Sequence, residues 1–221
     1  MLRQHIVKSF DKDLQTLRDK LAEMGANTEA QLASAIEALV SRNAELAEAV
    51  IKNDKRVNDL QNEIDSLTVR MLATRQPLGF DLRNIISGLK IASDLERIAD
   101  NAKRIARSVD DLNNITLDKP IELIIEMSKI GQQMLIDIID SYQKSDAQKA
   151  VEVWHTDKEI DTMYADLLSQ LQIFMKDDSD NLHAYTSLIF VARCCERIGD
   201  HITNIAEDIY YLVNGKLYQG N

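Results

Sequence analysis

One five-residue phrase occurs twice in this chain, as Glu96-Arg97-Ile98-Ala99-Asp100 and as Glu196-Arg197-Ile198-Gly199-Asp200. A second phrase also recurs, since Asp54-Lys55-Arg56-Val57 is matched by Asp157-Lys158-Glu159-Ile160. The two copies of each phrase lie at equivalent places in the two halves of the chain. The sequence therefore predicts an internal duplication.

The spacing of apolar residues predicts helices nearly everywhere. The last stripe alternates between steps of three and four residues from Tyr185 through Cys195 and Gly199 to Val213, as one face of an amphipathic helix does. Only 7 Gly and 2 Pro occur among 221 residues, too few for the many turns of an all-β protein. We therefore predict an all-α protein with six long helices.

Breaks in these stripes predict the domain organisation. Pro77 and Gly79 separate the second helix from the third, and a polar stretch that ends at Pro120 separates the two halves. The first three-helix bundle is expected at residues 1–112, the linker at 113–119 and the second bundle at 120–215. Each half would consist of two helices, a loop and a third helix.

Composition narrows the class of partner. The formal net charge of −10 disfavours nucleic-acid binding, because contact with phosphates needs clustered Lys and Arg. Cations or basic protein surfaces are better partners for a chain with this negative charge. No apolar run approaches the roughly 20 residues that span a bilayer, and no signal-peptide core follows the N-terminus. With its two adjacent cysteines, Cys194 and Cys195, the chain reads as a reduced cytoplasmic protein without direct membrane insertion.

Pairs of acidic residues four positions apart are the strongest candidate site. Such a pair lies on one face of a helix, with Cβ atoms roughly 5–6 Å apart. The repeated phrase supplies two pairs, and Asp157 with Asp161 supplies a third on the preceding helix. If the last two helices pack antiparallel, four carboxylates converge and need a metal ion or an arginine cluster. Oxygen ligands favour hard cations such as Mg²⁺, Mn²⁺ or iron.

Simpler interpretations remain open. A chain with 36 acidic residues contains several such pairs by chance, and an isolated pair is usually a solvated helix face. In the first half, Arg104 and Arg107 follow Asp100 and could neutralise the carboxylates as a salt-bridged face. His201 is interpreted as a helix-surface residue. No Gly-rich phosphate loop, nucleophile motif or dinucleotide fingerprint is present.

Three segments resemble one known family. Residues 94–100 and 195–207 are similar to the paired signatures of the PhoU family, and residues 76–83 are similar to the segment that opens its third helix. The resemblance implies two three-helix bundles related by a pseudo-twofold. It also implies a cytoplasmic, non-enzymatic negative regulator of the phosphate-starvation response. Such a protein would couple a phosphate ABC transporter, at its cytoplasmic ATPase side, to a membrane sensor histidine kinase, and would restrain phosphate uptake.

The same resemblance implies a homodimer and metal ligands. Carried over by position, the ligands of Mg, Mn, Fe or Zn would be Asp157, Asp161, Glu196 and Asp200 in the second half, and Asp54, Asp81, Glu96 and Asp100 in the first half. The first half departs from the family phrase, because Ala99 and Asn101 stand where the family has Gly and His.

Two other classes of function compete with this interpretation. A metal-storing or redox-active bundle would fit Glu152 and His155, which have the Glu-x-x-His spacing of di-iron bundles. Such bundles need a second copy, and the matching first-half positions are Ala49 and Lys52. A structural helical scaffold would leave the acidic pairs merely solvated.

Overall fold

The computed structural model describes residues 8–112 and 118–220, and all regular structure in them is helical. Two short 3-10 helices, Asp110–Leu112 and Ser179–Asn181, follow the third and fifth long helices. No long helix among these residues is apolar enough to cross a lipid bilayer. The all-α prediction is confirmed by six long helices: α1 (Lys8–Ser41), α2 (Ala44–Arg75), α3 (Phe80–Arg107), α4 (Asp118–Lys144), α5 (Ala147–Asp177) and α6 (Leu182–Asn214).

The predicted breaks lie close to the observed ones. Helix α2 ends just before Pro77, and α3 begins directly after Gly79, whose φ of 57° favours glycine. Residues 113–117, most of the predicted linker, lie outside the described residues. Helix α4 begins inside the predicted linker, because Asp118 already belongs to it. The division into domains at 1–112 and 120–215 stays a prediction.

The turn between the first two helices of each half has one geometry in both halves. Arg42 and Ser145 each have a φ of 53° and end their helices in the left-handed region. The next residues, Asn43 and Asp146, cap the following helices. Each accepts a hydrogen bond at 3.0 Å from a backbone N–H in the first helical turn. The duplication therefore extends to the backbone of the connecting turns.

Helix packing gives each half the form of a three-helix bundle. Helices α1, α2 and α3 pack on one another, as do α4, α5 and α6. The halves meet where α3 packs on α6 and α1 packs on α4. Each of these helices thus contacts its own counterpart, as a pseudo-twofold requires. One hydrophobic core runs through both halves, and it contains the predicted stripe of α2, which comprises Val57, Leu60, Ile64, Leu67 and Met71.

Polar side chains cross the contact between the halves. Lys90 of α3 forms an ion pair with Asp208 of α6 at 2.8 Å. Asp94 of α3 lies 2.9 Å from His201 Nδ1 and accepts a hydrogen bond from Asn204 at 3.3 Å. Higher numbers on α3 meet lower numbers on α6, so the two helices are antiparallel. His201 is therefore a half-buried contact between the halves, and its interpretation as a surface residue is too simple.

Candidate functional site

The second-half carboxylates lie where α5 packs against α6. A Cβ atom added at Gly199 would clash with Asp157 Oδ1 and would lie 3.3 Å from Ile160 Cδ1. The glycine that interrupts the apolar stripe of α6 is thus explained by the close approach of α5, as its position in a packing seam predicts. The first half has Ala99 at this position.

Two carboxylates of this cluster have buried oxygen atoms without a hydrogen-bond partner. Asp157 Oδ1 and Glu196 Oε2 are, together with Asn101 Oδ1, the buried side-chain atoms that lack a partner among the described residues. A buried polar atom left unpaired costs about 1–3 kcal/mol. Arg193 contacts the other Glu196 oxygen, Oε1. Among the described residues no protein cation pairs with Asp157, whereas Glu196 is neutralised in part by Arg193.

The four predicted second-half residues influence one another electrostatically. Burial, together with the charges of Asp161, Asp200 and Glu196, raises the pKa of Asp157 to about 7. Burial also raises the pKa of Glu196, assisted by Asp200 and Asp161 and opposed by Arg193. The structure thus brings together Asp157, Asp161, Glu196 and Asp200, which we call the second-half cluster. Asp157 and Glu196 form its half-buried inner pair, whereas Asp161 and Asp200 are exposed.

The second-half cluster is not closed around an ion in the present side-chain positions. No three His, Cys, Asp or Glu side chains within residues 8–112 and 118–220 are arranged to hold a metal. The donors of the cluster are all carboxylate oxygens, two of them buried and unpaired, and such oxygens are the ligands that hard cations prefer.

The first half is organised differently, around Lys103. Its ammonium group lies 2.7 Å from Asp54 Oδ2 on α2 and 2.8 Å from Asp100 Oδ1 on α3. Arg104 pairs with the other Asp100 oxygen at 2.9 Å, and Gln31 donates to Asp54 Oδ1 at 3.3 Å. We call Asp54, Asp100 and Lys103 the first-half triad. The predicted salt-bridged face is therefore present there, with Lys103 at its centre.

The pKa values of Asp100 and Lys103 follow from these contacts. Burial alone would raise the pKa of Asp100, but Lys103 and Arg104 outweigh burial and lower it. Burial alone would lower the pKa of Lys103, but its hydrogen bonds to Asp100 and Asp54 raise it. Both carboxylate and ammonium are thus held in their charged forms.

The other two first-half candidates lie apart from the triad or make other contacts. Asp81 lies in the first turn of α3, roughly 28 Å along the helix axis from Asp100 at 1.5 Å per residue. Glu96 lies 3.6 Å from Arg97 of its own helix. The structure therefore brings Asp54 and Asp100 together without assembling the predicted four-residue set.

Sequence reasoning missed Lys103, the residue that organises the first half. The sequence predicts Arg104 and Arg107 as the neutralising cations, and of these Arg104 does pair with Asp100. Lys103 stands three positions after Asp100, and residues three apart share a helix face. That spacing was readable in the sequence. Its second contact, to Asp54, depends on how α2 packs on α3 and was not.

The fold and these sites define a class of all-helical protein with two repeated three-helix units and acidic pairs on the third helix of each. The sequence profile of the PhoU domain matches residues 21–109 and 124–209. A phosphate-specific transport system accessory protein PhoU homolog from Zymomonas mobilis is 40% identical over 96% of this chain and 90% of its own length. The chain belongs to the PhoU family.

Solved structures agree over the whole fold. The crystal structure of PhoU from Pseudomonas aeruginosa superposes with a TM-score of 0.90 at 35% identity, covering 94% of this chain and 100% of that one. The phosphate transport system regulatory protein PhoU from Streptococcus pneumoniae gives a TM-score of 0.88 at 31% identity, covering 95% and 99% of the two chains. The two-bundle arrangement is thus shared with both proteins.

Proposed function

We propose that this protein is an accessory regulator of a phosphate-specific transport system. The observation that carries the proposal is the similarity of almost the whole chain, with both repeats, to proteins of that description. In its full form, the proposal is that the protein represses the phosphate-starvation response when phosphate is ample. It would also restrain phosphate uptake through the transporter.

The proposed partners are the cytoplasmic ATPase side of a phosphate ABC transporter and a membrane sensor histidine kinase. By binding both in the cytoplasm, the protein would hold the kinase in its non-activating state. A partner shifts such an equilibrium only by binding one state more tightly than the other. The net charge of −10 suits basic partner surfaces or cation-bridged contacts. A homodimer, which light scattering of the purified protein would detect, is part of this proposal.

The second-half cluster is proposed to bind a metal ion of the Mg, Mn, Fe or Zn group. Support comes from the unpaired buried oxygens of Asp157 and Glu196, and from the burial and neighbouring carboxylate charges that raise the pKa values of both. A bound cation would supply positive charge that neutralises these groups. Asp161 and Asp200, on the exposed side, would complete the ligand set.

Iron storage or redox activity is the less favoured alternative. It depends on Glu152 and His155, and both make other contacts. Glu152 accepts a hydrogen bond from Gln148 at 3.3 Å, and His155 Nε2 lies 3.3 Å from the hydroxyl of Tyr218. Glu152 thus contacts a residue of its own helix and His155 contacts the C-terminal segment.

A transcriptional reporter tests the regulatory role. We expect deletion of the gene in the source organism to raise phosphate-regulated transcription in ample phosphate, and the wild-type gene to restore repression. Complementation with Asp157→Ala/Glu196→Ala separates the inner pair from the remaining surface. Asp166→Ala, at an exposed position of α5, is the matched control and should repress fully. Unchanged transcription after deletion would contradict the proposal.

Elemental analysis of purified protein tests the metal site. Wild-type protein loaded with Mn²⁺, Fe or Zn²⁺ is compared with the variant in which Asp157, Asp161, Glu196 and Asp200 are all replaced by Ala. We expect bound metal in the first and its loss in the second. Equal metal content in both would exclude the second-half cluster as the site.

A further inference from the structure

We infer that Lys103 is a built-in cation that closes the first-half site, so that this half holds no exchangeable metal. The inference rests on the proposed metal binding in the second half, with which it contrasts. The first-half residues that the family resemblance implies as ligands do not fit a metal ion, because an ammonium group already lies between them. The following comparison of the two halves carries the argument.

Position 103 corresponds to position 203 in the duplicated phrase, and the two residues differ in what they contact. Lys103 reaches Asp100 on its own helix and Asp54 on α2, at 2.8 and 2.7 Å. Thr203 instead donates its hydroxyl to the backbone carbonyl of Asp200 at 2.7 Å. The side chain of Thr203 is thus turned to its own helix and supplies no charge to the carboxylates.

The partners of Lys103 leave little room for a competing cation. Its side chain is only 16% exposed, and those of Asp54 and Asp100 are 10% and 19% exposed. The oxygens not bound by Lys103 have their own partners, since Gln31 donates to Asp54 Oδ1 and Arg104 pairs with Asp100 Oδ2. A metal ion would have to displace a paired ammonium from both carboxylates.

The two halves therefore meet one electrostatic requirement in two ways. Carboxylates facing each other between packed helices need a positive charge. The first half obtains it from its own chain and is permanently neutralised. In the second half Arg193 pairs with Glu196 Oε1, but no Lys or Arg pairs with Asp157 among the described residues, and its Oδ1 has no hydrogen-bond partner. A cation from solution would supply the positive charge that Asp157 lacks. Only the second half can then respond to the supply of an ion.

Mn²⁺ binding to four proteins tests the inference, with the free ion counted by electron paramagnetic resonance. The proteins are the wild type, Lys103→Thr, Asp157→Ala/Glu196→Ala, and the combination of all three substitutions. We expect the second-half double variant to lose Mn²⁺ binding, since the first half is closed. The combined variant should regain Mn²⁺ through the opened first half. If the combined variant binds Mn²⁺ but the wild type binds none, the inference about Lys103 is supported and the proposed second-half site is refuted.

Two outcomes would overturn the inference. One is Mn²⁺ binding by the double variant that disappears on Asp100→Asn, because the first half would then bind metal with Lys103 in place. The other is a folded combined variant, checked by circular dichroism, that binds no Mn²⁺. If Lys103→Thr prevents folding, Lys103→Met keeps the apolar stem of the side chain and is used in its place.

The reciprocal substitution, Thr203→Lys, gives an independent readout. An ammonium at this position should reach Asp200 and Asp157 as Lys103 reaches its partners. We expect loss of Mn²⁺ binding at the second half and a higher melting temperature in metal-free buffer at pH 7.5. Mn²⁺ binding equal to that of the wild type would show that the two positions are not equivalent and would contradict the inference.

Discussion

Replacement of Asp157 by Asn should change how the stability of the metal-free protein depends on pH. Asp157 has its pKa raised from 3.8 to about 7 by burial and by three neighbouring carboxylates. The folded state therefore keeps this proton at pH values where the unfolded chain has lost it. Folding stability must then fall as pH rises from about 4 to about 7. Asn has nearly the same shape and cannot ionise, so the variant lacks this loss.

The size of the effect follows from the shift in pKa. A rise from 3.8 to about 7 would correspond to about 4 kcal/mol if none of it were screened. Asp157 is only half-buried, and solvent screening reduces the figure to about 1–2 kcal/mol. We therefore expect Asp157→Asn to gain about 1–2 kcal/mol of unfolding free energy relative to the wild type between pH 5 and pH 7.5.

Urea unfolding followed by circular dichroism, in buffers with a chelator, measures this difference. Comparison of variant and wild type at each pH cancels the contribution of the other titrating groups. Asp166→Asn, at an exposed site on the same helix, is the control. Its unfolding free energy should change with pH as that of the wild type does. If Asp157→Asn also follows the wild type across this range, Asp157 is not a buried, repelled carboxylate and the account of the second-half cluster fails.

Three further changes test other features of the structure. Gly199→Ala should push the Asp157 carboxylate away from α6, because the added Cβ occupies its place. We expect Mn²⁺ affinity, measured by calorimetry, to fall about tenfold, or about 1.4 kcal/mol. An unchanged affinity would show that Mn²⁺ binding does not need the close approach of Asp157 to α6. Asp146→Ala removes the N-cap of α5 and should cost about 1 kcal/mol in urea unfolding. Tyr218→Ala should shift the fluorescence of Trp154, the one tryptophan, to longer wavelength, because the two rings lie 5.2 Å apart; an unshifted spectrum would place the C-terminal segment elsewhere.

Most of the fold could be predicted because its determinants are local and periodic. The stripe of α2 and the break at Pro77 and Gly79 depend on residues close in sequence, and they are found where predicted. The packing of α3 on α6 could not be read in the same way. Its contacts, such as Lys90 with Asp208, join residues far apart in the chain, and their register depends on the relative placement of two completed bundles.

The candidate site was predictable in its acidic members and not in its cations. Spacing alone indicated that Glu196 and Asp200 share a helix face, and that Asp157 and Asp161 would meet them if the last two helices pack antiparallel. Whether Asp54 and Asp157 are neutralised depends on side chains that reach them from another helix. Lys103 of α3 reaches Asp54 of α2, whereas Thr203 of α6 donates its hydroxyl to a backbone carbonyl of its own helix. Two nearly identical phrases therefore have different electrostatic surroundings.

The joining of two similar bundles in one chain has an evolutionary consequence. In a symmetric assembly of two identical subunits, every substitution appears on both sides, so a lysine that closes one site closes the other as well. Because the duplicated units here are encoded separately, Lys103 and Thr203 could diverge. The antiparallel contact of α3 with α6 keeps the old symmetry of the framework. Under the inference drawn above, the first bundle would stay neutralised while the second responds to an ion, and a homodimer of a single bundle could not divide the two properties in this way.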